Sequence, residues 1–178
     1  MTGTERSGTQ AKDRWQAAVR RGETWALEQF YAEHQTAIYR LCCRLLPRAE
    51  DAEDAMQATF THAFRALPRF RFDCAPRTWL YRIAVNEANT LLRRRPSEPL
   101  PDNDLPAAET PLSAAERLEI QAALTRLAPP TRLILVLRFW EELSYGEIAV
   151  VLAITLPAVK MRLKRAREQF RRVYEETE

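Results

Sequence analysis

The sequence predicts an all-α protein built as two small helical domains, and three observations carry that expectation. Only 4 of the 178 residues are Gly, against a typical ~7%, and the tight hairpins of sandwiches and barrels depend on glycine. Apolar residues recur at helical spacing through two long stretches of the chain. Between those stretches lies Pro96–Pro111, which holds five of the 11 prolines and no cation. Proline at that density blocks helix and strand alike, so 96–111 reads as an extended, acidic linker. It separates an N-terminal tail and short helix (1–23) and a first domain (24–95) from a second domain (112–178).

Each element follows from its punctuation. Gly22 closes a short first helix, and a longer one then carries Leu27, Phe30, Tyr31, Ile38, Leu41 and Leu45 to a stop at Pro47. A third helix is predicted from about Ala49 to Leu67, apolar at Met56, Phe60 and Phe64 and ended by Pro68. After the loop Arg69–Ala75, Pro76 suits the first turn of a fourth helix that reaches about Arg95. Past the linker, Ser113 and Glu116 have the spacing of a capping box, and Pro129-Pro130 ends that helix and begins the next. Ser144 and Glu147 repeat the box at the head of a short helix through Leu152. Ala153-Ile154-Thr155 forms a turn, with Thr155 as N-cap of a basic helix from Leu156 to about Tyr174.

Composition excludes several classes. Hydrophobic residues make up 46% and charged residues 29%, ordinary globular values. The longest apolar run, Ile148–Ile154, falls far short of the ~20 residues that span a bilayer. The N-terminus has no apolar signal region, so a soluble, cytoplasmic protein without membrane insertion is expected. Cys42, Cys43 and Cys74 match neither a disulfide framework nor a zinc spacing. No phosphate-cradling glycine loop and no nucleophile–base set is recognisable, so neither an enzyme nor a cofactor is expected. Net charge is +3, but it is unevenly spread: +5 over residues 1–95, −4 over 96–115 and +2 over 116–178. Two basic segments around an acidic one suggest two polyanion-binding surfaces; an arginine-rich composition alone also accounts for them.

The helix pair Ser144–Leu152 and Leu156–Tyr174 has the lengths of a helix-turn-helix. On the second helix Val159, Leu163, Ala166, Phe170 and Val173 make one apolar stripe. Pro157, Ala158, Met161, Lys164 and Arg165 project from the other side, with Lys160 and Arg162 on the flanks. Arginine on such a face can read guanine bidentately while its neighbours neutralise phosphates. The fourth helix carries a polar stripe at Arg82, Asn86, Asn89 and Arg93, and the loop before it interleaves Arg69 and Arg71 with Phe70 and Phe72. Cations beside rings suit the capture of single-stranded bases; a solvated face beside a core tryptophan has the same spacing. Asp51-Ala-Glu-Asp54 fits a helix-dipole cap or partner surface better than a metal site, since no histidine lies beside it.

Four segments together are more specific. Asp51-Ala-Glu-Asp-Ala-Met-Gln-Ala-Thr-Phe60, Thr78-Trp-Leu-Tyr-Arg-Ile-Ala-Val-Asn86, Leu143-Ser-Tyr-Gly-Glu-Ile-Ala149 and Val159-Lys-Met-Arg-Leu-Lys-Arg-Ala-Arg167 closely resemble the extracytoplasmic-function (ECF) sigma factors of bacterial RNA polymerase. The resemblance implies a sigma-two domain that binds core polymerase and opens the −10 element. It also implies a sigma-four domain that binds the −35 element, and commonly an anti-sigma factor as a restraining partner. Asp51, Asp54, Gln57 and Phe60 would lie in the polymerase-clamp helix. Arg69, Arg71, Phe72 and Asp73 would capture a flipped −10 base, with Arg82, Asn86, Asn89 and Arg93 on the strand beside it. Pro157, Ala158, Lys160, Met161, Arg162, Lys164 and Arg165 would face the −35 duplex. The linker would thread the polymerase between the two domains and transmit little from one to the other. Ala153 stands where the family has a turn glycine, so the turn must either avoid positive φ or accept strain. Pro157 and Met161 replace a small residue and a serine usual in the family. The chain ends at Glu178, so no accessory C-terminal domain is expected.

Overall fold

The computed structural model describes residues 13–94 and 113–176; the tail over 1–12 and the linker expected over 96–111 lie outside them. Eight α-helices follow one another in this part of the chain. Helix α1 runs over 13–20, followed by α2 (Thr24–Leu45), α3 (Ala49–Ala66), a 3-10 turn (Leu67–Arg69) and α4 (Pro76–Arg94). After the gap come α5 (Ala114–Thr125), α6 (Pro129–Phe139), α7 (Tyr145–Leu152) and α8 (Leu156–Glu175). No strand occurs among the described residues, and no helix there is long and apolar enough to cross a membrane.

The predicted punctuation is largely realised. Gly22 leaves α1 at φ +69, a left-handed C-terminal residue that glycine adopts without a Cβ clash. Both capping boxes form: the hydroxyls of Ser113 and Ser144 accept from the backbone N–H of Glu116 and Glu147, whose carboxylates reach back to the serine N–H. Pro129 occupies the first turn of α6. Thr155 is the N-cap residue of α8, but its side chain makes no capping hydrogen bond. Ala153 accepts the strain, at φ 51 and ψ 45.

Helices α1–α4 enclose Phe30, Ile38, Leu41, Phe60 and Leu80, while α6–α8 enclose Ile134, Leu137, Ile148, Val159 and Leu163. The expectation of two units that transmit little to each other needs correction. Helix α4 packs along α7, and α2 touches α6, so the buried residues of both halves join in one cluster. The sequence pattern that produces this seam is a second stripe on α4. Thr78, Tyr81, Val85 and Ala88 are all buried at steps of three and four, beside the stripe that faces the first core.

Candidate nucleic-acid interface

The first candidate surface is α8. Val159, Leu163 and Ala166 are buried against the rest of its half, and this fixes the opposite side outward. Pro157, Lys160, Met161, Arg162, Lys164 and Arg165 are exposed and Ala158 is half-buried. Met161, at 55% exposure, is among the most exposed large apolar side chains described. Seven cations stand on the thirteen residues from Lys160 to Arg172, with one anion, Glu168. Tyr145 of α7, Lys160, Lys164, Arg167 and Arg171 line a shallow basic groove along this helix. The Arg167 guanidinium lies 5.2 Å from the centre of the Phe139 ring, which leaves it at the helix edge, suited to a phosphate rather than to a base. The arrangement presents one basic, groove-sized helix on a rigid apolar footing.

The second surface is built from the loop before α4. Arg69, Arg71, Asp73, Cys74, Trp79 and Arg82 line an open cleft of about 460 Å³. Phe70 stacks on Trp79 with ring centres 4.7 Å apart, and the Phe72 ring lies 4.6 Å from Phe70. Phe72 turns inward, at φ 58, where it meets the edge of Trp15 and the guanidinium of Arg20. It is not among the residues that line the cleft; its ring packs against Phe70 and Trp15 and props the loop. Along α4, Arg82, Asn86 and Arg93 are exposed and Asn89 is half-buried, so the polar stripe does form one open face. Arg93 donates to the Thr90 hydroxyl at 3.0 Å.

The α3 surface differs from expectation at two of four residues. Asp54 and Gln57 are exposed. Phe60 is only 3% exposed and packs against Tyr31, Phe30 and Phe64, so it is a core residue of the first half. Asp51 is 5% exposed and accepts from Arg48 through both oxygens, at 3.1 and 3.3 Å. The carboxylates that α3 leaves exposed are Glu50, Glu53 and Asp54. The order of apolar residues carried the signal for Phe60, since Met56, Phe60 and Phe64 share a helical face.

Comparison with known proteins decides the family. Residues 30–97 match the model of sigma-70 region 2 and residues 117–170 that of sigma-70 region 4. The RNA polymerase sigma-H factor of Pseudomonas aeruginosa is 37% identical over 168 residues, covering 84% of this chain and 86% of that protein. The chain belongs to the ECF sigma factors. The ECF RNA polymerase sigma-E factor of Escherichia coli, 33% identical over 173 residues, covers 84% of this sigma factor and is itself covered to 87%. Among solved structures, CnrH in complex with the cytosolic domain of CnrY has a TM-score of 0.72 at 27% identity, covering 92% of this chain and 97% of CnrH. This sigma factor therefore directs promoter-specific transcription initiation as a non-catalytic subunit of RNA polymerase.

The sequence reading missed the groups that join the two halves. Glu141, in the turn between α6 and α7, is 4% exposed. Its carboxylate accepts from Arg44 Nη1 of α2 at 3.0 Å and from the Tyr81 hydroxyl of α4 at 2.5 Å. Arg77 donates to the Glu141 carbonyl at 3.1 Å, and its guanidinium sits 5.0 Å from the centre of the Tyr81 ring. Burial and the adjoining carboxylate push the Tyr81 hydroxyl well above its ordinary value, which keeps it a donor. Burial pulls the Arg44 guanidinium down, and Glu141 opposes that pull. Beside this group the Thr78 hydroxyl donates to Glu147 of the α7 capping box at 3.1 Å. Apart from the buried seam on α4, no local pattern marks these contacts, because partners 60 and 97 residues apart share no periodicity.

Proposed function

We propose that the two surfaces divide promoter recognition between them. Helix α8 enters the major groove of the −35 element, with Arg165 and Lys164 toward base edges and Lys160, Arg162 and Arg167 on phosphates. Pro157, Ala158 and Met161 shape the leading end of that contact. The cleft under Arg69, Arg71 and Asp73 takes an unstacked −10 base, and Arg82, Asn86, Asn89 and Arg93 hold the strand beside it. Asp54 and Gln57, with Glu50 and Glu53, meet a basic surface of core polymerase. The protein works in the cytoplasm, where polymerase is, under the restraint of an anti-sigma factor.

The observation that carries this reading is the exposed basic side of α8 opposite buried Val159, Leu163 and Ala166. A helix seated in this way cannot bury its cations internally and presents them together, as groove recognition requires. Run-off transcription on genomic template, with core polymerase and with or without this chain, tests it. Start sites that appear only with the chain are expected. Tight binding of the chain alone to a palindromic duplex, with no new start site, would instead favour a stand-alone repressor.

A further inference from the structure

One side chain on the outward face of α8 differs in chemistry from its surroundings. Met161 is 55% exposed, and it lies outside the apolar cluster to which Val159, Leu163 and Ala166 belong. Two residues from both Val159 and Leu163, it stands about 160° round the helix from each, at ~100° per residue. That is the crest of the outward face. Lys160 and Arg162 flank it, Lys164 and Arg165 stand one turn on, and all four are exposed.

A methionine placed there contributes nothing to the core of its own domain. Phosphate oxygens offer nothing to an uncharged thioether, and the neighbouring cations already suit them. Burial of an apolar side chain is favourable against another apolar surface. In the major groove the base edges are rows of donors and acceptors, and the thymine C5 methyl is the apolar group among them. Methionine is unbranched and flexible, so its terminal methyl adjusts readily to such a contact. A protein-docking surface would need a contiguous apolar patch, and the cations around Met161 interrupt one here.

We propose that Met161 is a specificity-determining residue that selects a T·A pair in the −35 element through the thymine methyl. The inference rests on the placement of α8 in the major groove given under the proposed function. Helix geometry sets its register. Met161 and Arg165 are four residues apart, about 6 Å along the axis, and base pairs stack at ~3.4 Å. The selected thymine therefore lies about one or two base pairs from the pair that Arg165 reads. The cations of this face supply affinity that salt weakens, whereas Met161 supplies discrimination that salt does not screen.

The test uses holoenzyme reconstituted from core polymerase and the full chain, as wild type, Met161→Ser and Met161→Leu. A promoter library randomised over the −35 element is first selected with wild type. The selected sequences should carry a T·A pair beside the position at which Arg165→Ala relaxes preference. Each thymine of the selected element is then replaced by deoxyuridine, which removes the C5 methyl and keeps every hydrogen-bonding group. At that one thymine, wild type should lose about fourfold in affinity, the worth of one methyl group taken out of water. The ratio should stay the same at low and high salt. Met161→Ser should bind the two duplexes equally, whereas Met161→Leu, apolar but without the sulfur, should keep the difference. Met161 is exposed, so all three proteins should fold alike by circular dichroism. Equal affinity of wild type for every thymine and its deoxyuridine counterpart would overturn the proposal. So would a deoxyuridine penalty that persists in Met161→Ser or is absent from Met161→Leu. A library that yields no preferred −35 sequence would instead defeat the promoter assignment on which the inference rests.

Discussion

At the scale of single residues, conformation and chemistry each lead to a measurable expectation. Ala153 holds a left-handed conformation at the turn of the helix-turn-helix, which costs an L-residue about 1–2 kcal/mol. Glycine removes that strain and loses roughly 0.5–1 kcal/mol of chain entropy in return. Ala153→Gly should therefore raise stability by about 0.5–1 kcal/mol, a few degrees in melting temperature for a domain of this size. Thermal unfolding followed by circular dichroism checks it, and a lower melting temperature would show that Ala153 is not strained. Arg165 and Arg82 test the division of the DNA surfaces. Loss of a bidentate base contact costs about 1–3 kcal/mol and relaxes preference at that position. Arg165→Ala should weaken −35 binding by holoenzyme by about that amount, and the difference from wild type should vanish on a template mismatched at the contacted pair. Arg82→Ala should leave −35 affinity intact and reduce the permanganate reactivity of −10 thymines. Unchanged −35 preference in Arg165→Ala would remove α8 from the major groove.

At the scale of elements, the helices were legible because their boundaries depend on local chemistry. Proline, glycine and serine–glutamate boxes act within a few residues, and each predicted boundary falls within about three residues of the observed one. The apolar stripe of α8 was legible for the same reason, and so was the exposure of its cations. Side chains with two competing uses were not. Asp51 has the same spacing as a partner-facing carboxylate, yet Arg48 three residues earlier takes it. Phe72 sits among arginines in the sequence, but a positive φ turns its ring toward Trp15. The capping box of α7 carries an expectation of its own. Hydrogen bonds from the Ser144 hydroxyl and backbone N–H, with a smaller contribution from Thr78, hold the Glu147 carboxyl below its ordinary value, while partial burial opposes them. A carboxyl lowered in the fold stabilises it above the unfolded value of about 4.5, and the contribution fades as pH falls through the folded value. Glu147→Gln should therefore be less stable than wild type at neutral pH, with the gap closing below about pH 4.5. Denaturant midpoints across that range would show it, and a gap independent of pH would mean the charge is immaterial.

At the scale of the molecule, the separation into two helical halves was legible in the proline-rich interval, but their closure was not. The second buried stripe on α4 reads locally as ordinary amphipathicity, and only the fold shows that it faces α7. Closure predicts how the protein melts. The halves share the buried Arg44–Glu141 pair and a continuous apolar cluster, so wild type should unfold in one calorimetric transition. Glu141→Ala should split or broaden that transition, because each half keeps its own core and loses only the coupling. The penalty should also fall below the ~3–5 kcal/mol usual when one partner of a buried pair is removed, since Arg44 regains water on opening. A single sharp transition in both proteins would show that the seam contributes no coupling.

The seam between the halves also fixes an order of events during synthesis. Tyr81 and its carboxylate partner are separated by 60 residues, which a ribosome adds over about 3–12 s at ~5–20 residues per second. For those seconds the first half can fold while its seam is still uncovered and the cleft beside α4 is fully open. A newly made molecule therefore passes through a stage in which the seam on α4 is uncovered.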